Sequence, residues 1–381
     1  MELDVSWLLI GLPVAFALGW LSSRFDLRQM RRVQRDSPKA YFQGLNLLLN
    51  EQQDKAIDVF IQAVQNDPSA TELHFALGNL FRRRGEFERS VRVHEHLLAR
   101  GDLPAGERDR AQHALANDYL KAGLFDRAEA AFRALAGTPF EIEARLALLT
   151  LFERSHDWRA AVEVAGELEK RRGAGSFAPR IAHYWCELAL QAEAQGHGDE
   201  AAAALDRARA AAPQAPRPLL LAGQRAARAG RHGEALQAWG ELCERHPASF
   251  TLVAADAAAS AQAHGQSAAW LDKLRAAQLR QPSLDLLRAI GLLDADAARQ
   301  GLAQQLAAHP TLGTAAAVLA APGPVDDEPT RQQLRDTVER SARPLQRYRC
   351  AACGFEAQQH FWQCPGCLSW DSYPPLRIDE L

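Results

Sequence analysis

From Ser37 onward the chain repeats one pattern of small, large apolar and polar positions with a period of about 34 residues. The first unit, Ser37 to Pro68, reads S-P-K-A-Y-F-Q-G-L-N-L-L-L-N-E-Q-Q-D-K-A-I-D-V-F-I-Q-A-V-Q-N-D-P. With Ser37 as position 1, Gly44 falls at 8, Ala56 at 20, Phe60 at 24, Ala63 at 27 and Pro68 at 32. The pattern predicts two helices per unit. Small residues at 8 and 20 let the helices approach closely, apolar and aromatic residues fill the seam, and proline stops the second helix.

The register persists. Gly78, Gly85, Phe87 and Ser90 take positions 8, 15, 17 and 20 of the next unit. After a short insertion around residues 103–106, Tyr119, Gly123, Phe125, Ala128 and Phe132 take 11, 15, 17, 20 and 24. Weaker units carry Phe152, Trp158 and Ala161, then Trp185, Gly196, Ala201 and Pro213, then Leu219, Gly230, Ala235 and Pro247. A degenerate unit surrounds Ala269, and further ones run through His309-Pro310. These are the marks of a tetratricopeptide repeat. The fold expected is therefore all-α: a repeat superhelix of about 7–9 units over residues 37–322, its core buried between neighbouring units. Abundant alanine and sparse β-branched residues agree.

Ahead of the repeats, residues 5–21 read V-S-W-L-L-I-G-L-P-V-A-F-A-L-G-W-L, 17 residues without a charge. That length is at the short end of a membrane-spanning helix. Pro13 is tolerated in such a helix, and Trp7 and Trp20 fall where interfacial aromatics belong. Glu2 and Asp4 precede the stretch; Arg24, Arg28, Arg31, Arg32 and Arg35 follow it. The expectation is a single-pass inner-membrane anchor over residues 1–24, with a periplasmic amino terminus, a basic juxtamembrane linker over 25–36 and a cytoplasmic body. A cleaved signal peptide is the alternative, but the start is acidic and Ser22-Ser23 leads straight into arginines.

A net charge of −3 gives no global attraction to nucleic acid. A repeat array presents a groove lined by the first helix of each unit. Its positions 5, 9, 12 and 13 carry Phe75, Asn79, Arg82 and Arg83 in the second unit, and His113, Asn117, Leu120 and Lys121 in the third. Asparagine can hydrogen-bond the backbone of a bound segment, and the cations favour an acidic one; solvated polar residues on an exposed face are the alternative. No catalytic constellation is present, since His74, His94, His96, His183, His197 and His232 are scattered outside any nucleophile motif or ligand spacing. Cys186 and Cys243, each alone in a repeat helix, read as core fillers.

Residues 323–329, G-P-V-D-D-E-P, break the pattern, and a charged helix from Thr330 to about Ala342 completes a joint over 323–344. The tail, 345–381, holds Cys350-x2-Cys353 and Cys364-x2-Cys367 ten residues apart. Two such loops facing each other make a tetrahedral sulfur site, for zinc or iron, with no open position for catalysis at the metal. Disulfides and a redox dithiol are alternatives; a reducing compartment disfavours the first, and the second needs only one pair. With few apolar residues beyond Phe355, Phe361, Trp362 and Trp370, the tail would need its metal to fold.

Tyr348-x-Cys350-x2-Cys353-Gly354-Phe355 and Cys364-Pro365-x-Cys367 resemble the two knuckles of a rubredoxin, which implies one iron held by Cys350, Cys353, Cys364 and Cys367, with zinc the other metal such a set accepts. Leu368 stands where rubredoxins usually have glycine, and the spacer is far shorter, which favours a structural or docking role over electron transfer. The three parts together resemble the lipopolysaccharide assembly protein B family, also called YciM, most specifically at Tyr41-Phe42-Gln43-Gly44-Leu45-Asn46-Leu47-Leu48-Leu49-Asn50-Glu51-Gln52 and Cys364-Pro365-Gly366-Cys367-Leu368-Ser369-Trp370. That resemblance implies a non-enzymatic inner-membrane adapter that acts with the membrane protease FtsH to promote breakdown of the deacetylase LpxC. It would hold lipopolysaccharide production in balance with phospholipid. Lipopolysaccharide itself, its transport machinery and a second copy in a homodimer are further partners to consider. A generic membrane-tethered scaffold and a rubredoxin-like electron carrier are the rival readings.

Overall fold

The computed structural model describes residues 42–47, 49–50, 52–67, 69–172, 177–308, 311–321 and 328–381, together with Phe16. The apolar stretch 5–21 (Phe16 apart), the basic linker, Tyr41 and His309-Pro310 lie outside the described residues. Among those described, no helix is long and apolar enough to cross a membrane. The chain divides into two units, residues 1–156 and 157–381.

In the first unit, α1 (residues 42–47) and α2 (Gln53–Asn66) form the first helix pair, α3 (Thr71–Arg83) and α4 (Phe87–Ala99) the second, and α5 (Ala105–Lys121) and α6 (Phe125–Arg133) the third; α7 (Glu141–Ser155) follows. The predicted close approach is visible atom by atom. A Cβ on Gly44 would overlap the Phe60 ring, and one on Gly78 would overlap the His94 ring. In each case position 8 of the first helix is bare backbone because the ring at position 24 of the second occupies the space. The insertion near residue 103 is absorbed as extra helix: α5 has 17 residues against 13 for α3, about one more turn. Ala56, Ile57, Phe60, Leu73, Leu77 and Phe81 form one core cluster, and Phe75, Leu97, Leu103, Ala111 and Ala114 the next.

The second unit opens with α8 (Trp158–Arg172), α9 (Ala178–Ala194), α10 (Gly198–Ala211), α11 (Pro216–Arg228) and α12 (His232–Arg245). A short helix α13 (Pro247–Phe250) and the 3-10 turn η1 (Thr251–Val253) lead into α14 (Ala254–Ala263) and α15 (Ser267–Arg280). Then come α16 (Leu284–Leu293), α17 (Ala295–Ala308), α18 (Leu312–Ala320) and α19 (Glu328–Ala342). Gly223 and Trp239 repeat the pairing of bare backbone with ring. One core cluster runs from Ala182 to Ala298 through Trp239, Phe250 and Trp270. The charged helix expected in the joint is present as α19; it packs against α18 and so closes the array as the second helix of a last pair.

The turn is left-handed after α3, α5, α9, α11 and α14, where Gly85, Gly123, Gly196, Gly230 and Gly265 have φ of 71–80°, and at His156 after α7, with φ 58°; Asp294, between α16 and α17, is extended instead, with φ −151°. The tail is small: β1 (Tyr348–Arg349) pairs antiparallel with β2 (Glu356–Ala357), and the 3-10 turn η2 (Ile378–Glu380) ends it.

Candidate metal centre and its docking rim

The two Cys-x-x-Cys loops fold alike. Cys350 N donates to Phe355 O at 2.9 Å and Gly354 N to Cys350 O at 2.8 Å; Cys364 N donates to Ser369 O at 2.9 Å and Leu368 N to Cys364 O at 2.8 Å. Gly354 (φ 77°) and Leu368 (φ 59°) occupy matching places. The departure from glycine at Leu368 therefore leaves the knuckle's turn intact and costs strain instead. The four sulfurs all lie within 4.8 Å of one another, with Cys350 to Cys367 at 3.8 Å and Cys353 to Cys364 at 3.6 Å.

The donor set fits a metal ion on chemical grounds. Burial resists ionisation of Cys350, but Ser372 Oγ at 3.2 Å and the backbone amides of Cys353 and Ala352 outweigh it and bring the thiol down to about 6. The Cys367 thiol is also lowered, chiefly by the hydroxyl and amide of Ser369. For Cys353 the amide of Phe355 favours the thiolate, yet burial and the three neighbouring sulfurs push it up to about 12. Four thiolates at this spacing repel one another, so a cation is what lets all four ionise together. The Cys350 and Cys364 side chains are 1% and 0% exposed, and with Tyr348 and Tyr373 they are the buried core of the tail. Half of that core is made of the residues that would hold the metal, so the tail would depend on the ion for its fold. Cys186 and Cys243 are buried as expected, and burial raises both thiols, Cys186 to about 12.

The tail is fastened to the repeats of its own unit along a rim of helix beginnings. The Trp370 ring stacks on His183 of α9, with centroids 4.7 Å apart and 18° between planes, and meets Tyr184 and Trp158 edge-on at 5.7 and 6.3 Å. Asp371 accepts from His183 Nε2 at 2.9 and 3.0 Å. His183 Nδ1 then faces the Arg217 guanidinium at 3.5 Å, and Arg217 donates to Glu187 at 2.6 Å. This chain assigns the imidazole proton to Nε2. Trp362 lies under Arg217, 5.7 Å from guanidinium carbon to ring centre. Further along, Thr251 Oγ1, which donates to Ala248 O at 2.7 Å, lies 3.4 Å from Pro375 O, and Arg377 pairs with Asp285 at 3.2 Å.

The last contacts use helix electrostatics. Ser283 caps α16 and Thr311 caps α18. Leu284 N and Gly313 N, in the same first turns, donate to Glu380 Oε1 and Asp379 Oδ2, each at 3.2 Å. Carboxylates belong at helix amino ends. Burial nevertheless raises both carboxyls above their ordinary range. The rim leaves groove positions alone: Gln224, Ala227 and Arg228 of α11 line a cavity of about 530 Å³ that no described tail residue borders.

The groove residues named from sequence fall on the adjacent helices α3 and α5 of the first unit. Phe75 does not face a groove. Its ring is 2% exposed, packed with Leu97 and Leu103 and covered by the Arg110 guanidinium at 4.1 Å, because position 5 of this unit points into the seam. Arg82 is engaged internally: it donates to Asp118 at 2.9 Å and Ala114 O at 3.1 Å, and also to Asn79. Asp118, fully buried, takes His94 Nδ1 on its other oxygen at 2.5 Å. His113 stacks on Phe140 at 4.9 Å, and burial lowers its pKa. Asn117 donates to His113 O at 2.8 Å. Leu120 is half-buried, and Arg83 and Lys121 are exposed.

Residues 348–375 match the family model described as a rubredoxin metal binding domain, and residues 43–93 and 146–216 match that of the tetratricopeptide repeat. Among solved structures, a tetratricopeptide repeat protein from Parabacteroides merdae is similar at 12% identity over 68% of this chain and 98% of its own, with a TM-score of 0.34, too low to carry any argument. The chain is 28% identical to lipopolysaccharide assembly protein B of Haemophilus influenzae over 99% of both. It is 33% identical to the protein of the same name in Escherichia coli strain K12, over 97% of this chain and 98% of that one. With a relative so similar along nearly its whole length, the chain belongs to the lipopolysaccharide assembly protein B family.

Proposed function

We propose that the protein is a non-enzymatic adapter of the inner membrane that keeps lipopolysaccharide synthesis in check by promoting FtsH-dependent degradation of LpxC. The observation that carries this reading is the full-length kinship with proteins named for lipopolysaccharide assembly. The architecture is what an adapter requires. A repeat array offers extended surface, and four sulfur ligands would leave a bound metal no open position for a substrate. The apolar stretch 5–21 and its arginine flank would place the body beside a membrane-embedded protease. Asn79, Arg83, Asn117 and Lys121 are the groove residues we assign to an acidic segment of a partner. We assign iron to the sulfur site, with zinc as the alternative that elemental analysis decides.

The test is the cellular half-life of LpxC. Depleting this protein lengthens it, the full-length chain restores it, and a chain lacking residues 1–24 does not. An unchanged half-life on depletion would leave a scaffold for some other envelope assembly.

A further inference from the structure

The tail touches the array through residues that flank its second knuckle. Trp362 stands two residues before Cys364; Trp370 and Asp371 follow Cys367 by three and four. Their positions are set by the knuckle itself: Asp371 N donates to Trp362 O at 2.9 Å, and Gln363 and Trp370 form an antiparallel bridge across the loop. On the array side, the residues they cover make a site rather than a plain surface. His183 and Arg217 are 3% and 5% exposed, both polar, and both aimed at the tail. Arg217 Nε has no partner. Trp158 and Tyr184 supply an aromatic wall.

We infer that this rim on α8, α9 and α11 is a binding surface for a segment in which a tryptophan is followed by an acid, that the tail is its resident occupant, and that the four cysteines act as the latch. With the knuckles filled, Trp362 and Trp370 are held the right distance apart to grip His183 and Arg217 together. With the knuckles empty, the tail keeps only Tyr348 and Tyr373 as buried core besides its cysteines, too little to hold that geometry. The rim then becomes available to a partner of the same chemistry. This goes beyond the adapter reading and needs neither protease nor deacetylase to be tested.

The experiment is hydrogen exchange on the full-length chain in detergent, filled and then emptied with a chelator under reducing conditions, with metal content measured in parallel. Cys364→Ser provides the empty state by a second route. Emptying should speed exchange at least tenfold in α9 around residues 183–187 and in the first turns of α11, α16 and α18, and leave α3–α6 unchanged. Unchanged exchange at the rim overturns the latch. So does a rise that includes α3–α6, because the ion would then support the whole fold. Trp370→Ala should keep its metal yet show the same rise in α9 and α11. A labelled peptide of residues 368–381 should bind that variant at least tenfold more tightly than the filled wild-type chain; equal binding overturns the ligand assignment.

Discussion

Trp370 lies flat on His183, ring centres 4.7 Å apart, while the next residue, Asp371, accepts a hydrogen bond from Nε2 of the same imidazole. One histidine in a repeat helix is thus held on its face and on its edge by two consecutive residues of the metal-bearing tail. Trp370→Ala removes the stacked face and the contacts to Trp158 and Tyr184. The ring is half-buried, so the cost falls below that of a core tryptophan, at about 2–3 kcal/mol. Thermal unfolding should report the loss in the second unit, with metal content unchanged.

Cys364→Ser removes a fully buried ligand. Three thiolates and a hydroxyl do not replace the four-sulfur set, so metal content should fall from about one ion per chain towards zero. The tail should become sensitive to protease on the carboxyl side of Arg343. Wild-type metal content and protease resistance would show that the sulfur site is dispensable for the tail.

The docked carboxyl end has its own pH dependence. Burial raises the folded-state pKa of Asp379 and Glu380 above the ordinary carboxylate value of about 4. Such groups favour folding when protonated. Their contribution is full below the unfolded-state value and is lost as pH rises through the raised folded values. The histidines His74, His113, His246 and His360, lowered by burial, act in the opposite sense: their contribution is lost as pH falls below the ordinary imidazole value. The measurement is therefore a difference: Tm of the wild type minus that of Asp379→Asn/Glu380→Gln, followed from pH 4 to 7. The difference should shift against the wild type as pH rises. A difference independent of pH would mean these carboxyls do not titrate on docking.

Much of this fold is legible because repeat physics is local. Gly44 with Phe60, and Gly78 with His94, are sixteen residues apart, and each pairing follows from bare backbone at one position and a ring at another. The four cysteines were equally plain, since two short loops contain the whole ligand set. The docking rim gave no such signal. His183 and Asp371 are 188 residues apart, and nothing near His183 distinguishes it from a scattered repeat histidine. Phe75 misled for the related reason that a groove position in one unit becomes a core position when an inserted turn lengthens the next helix. Asp118 gives no such signal either, because its partners Arg82 and His94 lie 36 and 24 residues away on two different helices, with no common spacing to reveal them.

Asp118 holds a buried charge pair in the first unit. It is fully buried between Arg82 and His94 and so ties α5 to both helices of the preceding pair. Asp118→Asn keeps the shape but leaves the Arg82 guanidinium without its counter-charge, at a cost of about 3 kcal/mol. Denaturant unfolding followed by exchange in α3–α6 should locate the loss there, with the metal-bearing tail unaffected.

Two left-handed positions test strain from the other direction. His156 (φ 58°) stands where five other turns have glycine, and Leu368 (φ 59°) stands where the first knuckle has Gly354. An L residue with a bulky side chain costs about 1 kcal/mol or more in this region, whereas glycine reaches it without a Cβ clash. His156→Gly should raise stability by up to about 1 kcal/mol, less whatever contact the imidazole makes. At Leu368 the half-buried side chain offsets part of the gain, so Leu368→Gly should change overall stability little while still accepting the metal. Failure of Leu368→Gly to take up metal would show that the leucine side chain, and not the backbone turn alone, holds the second knuckle in place.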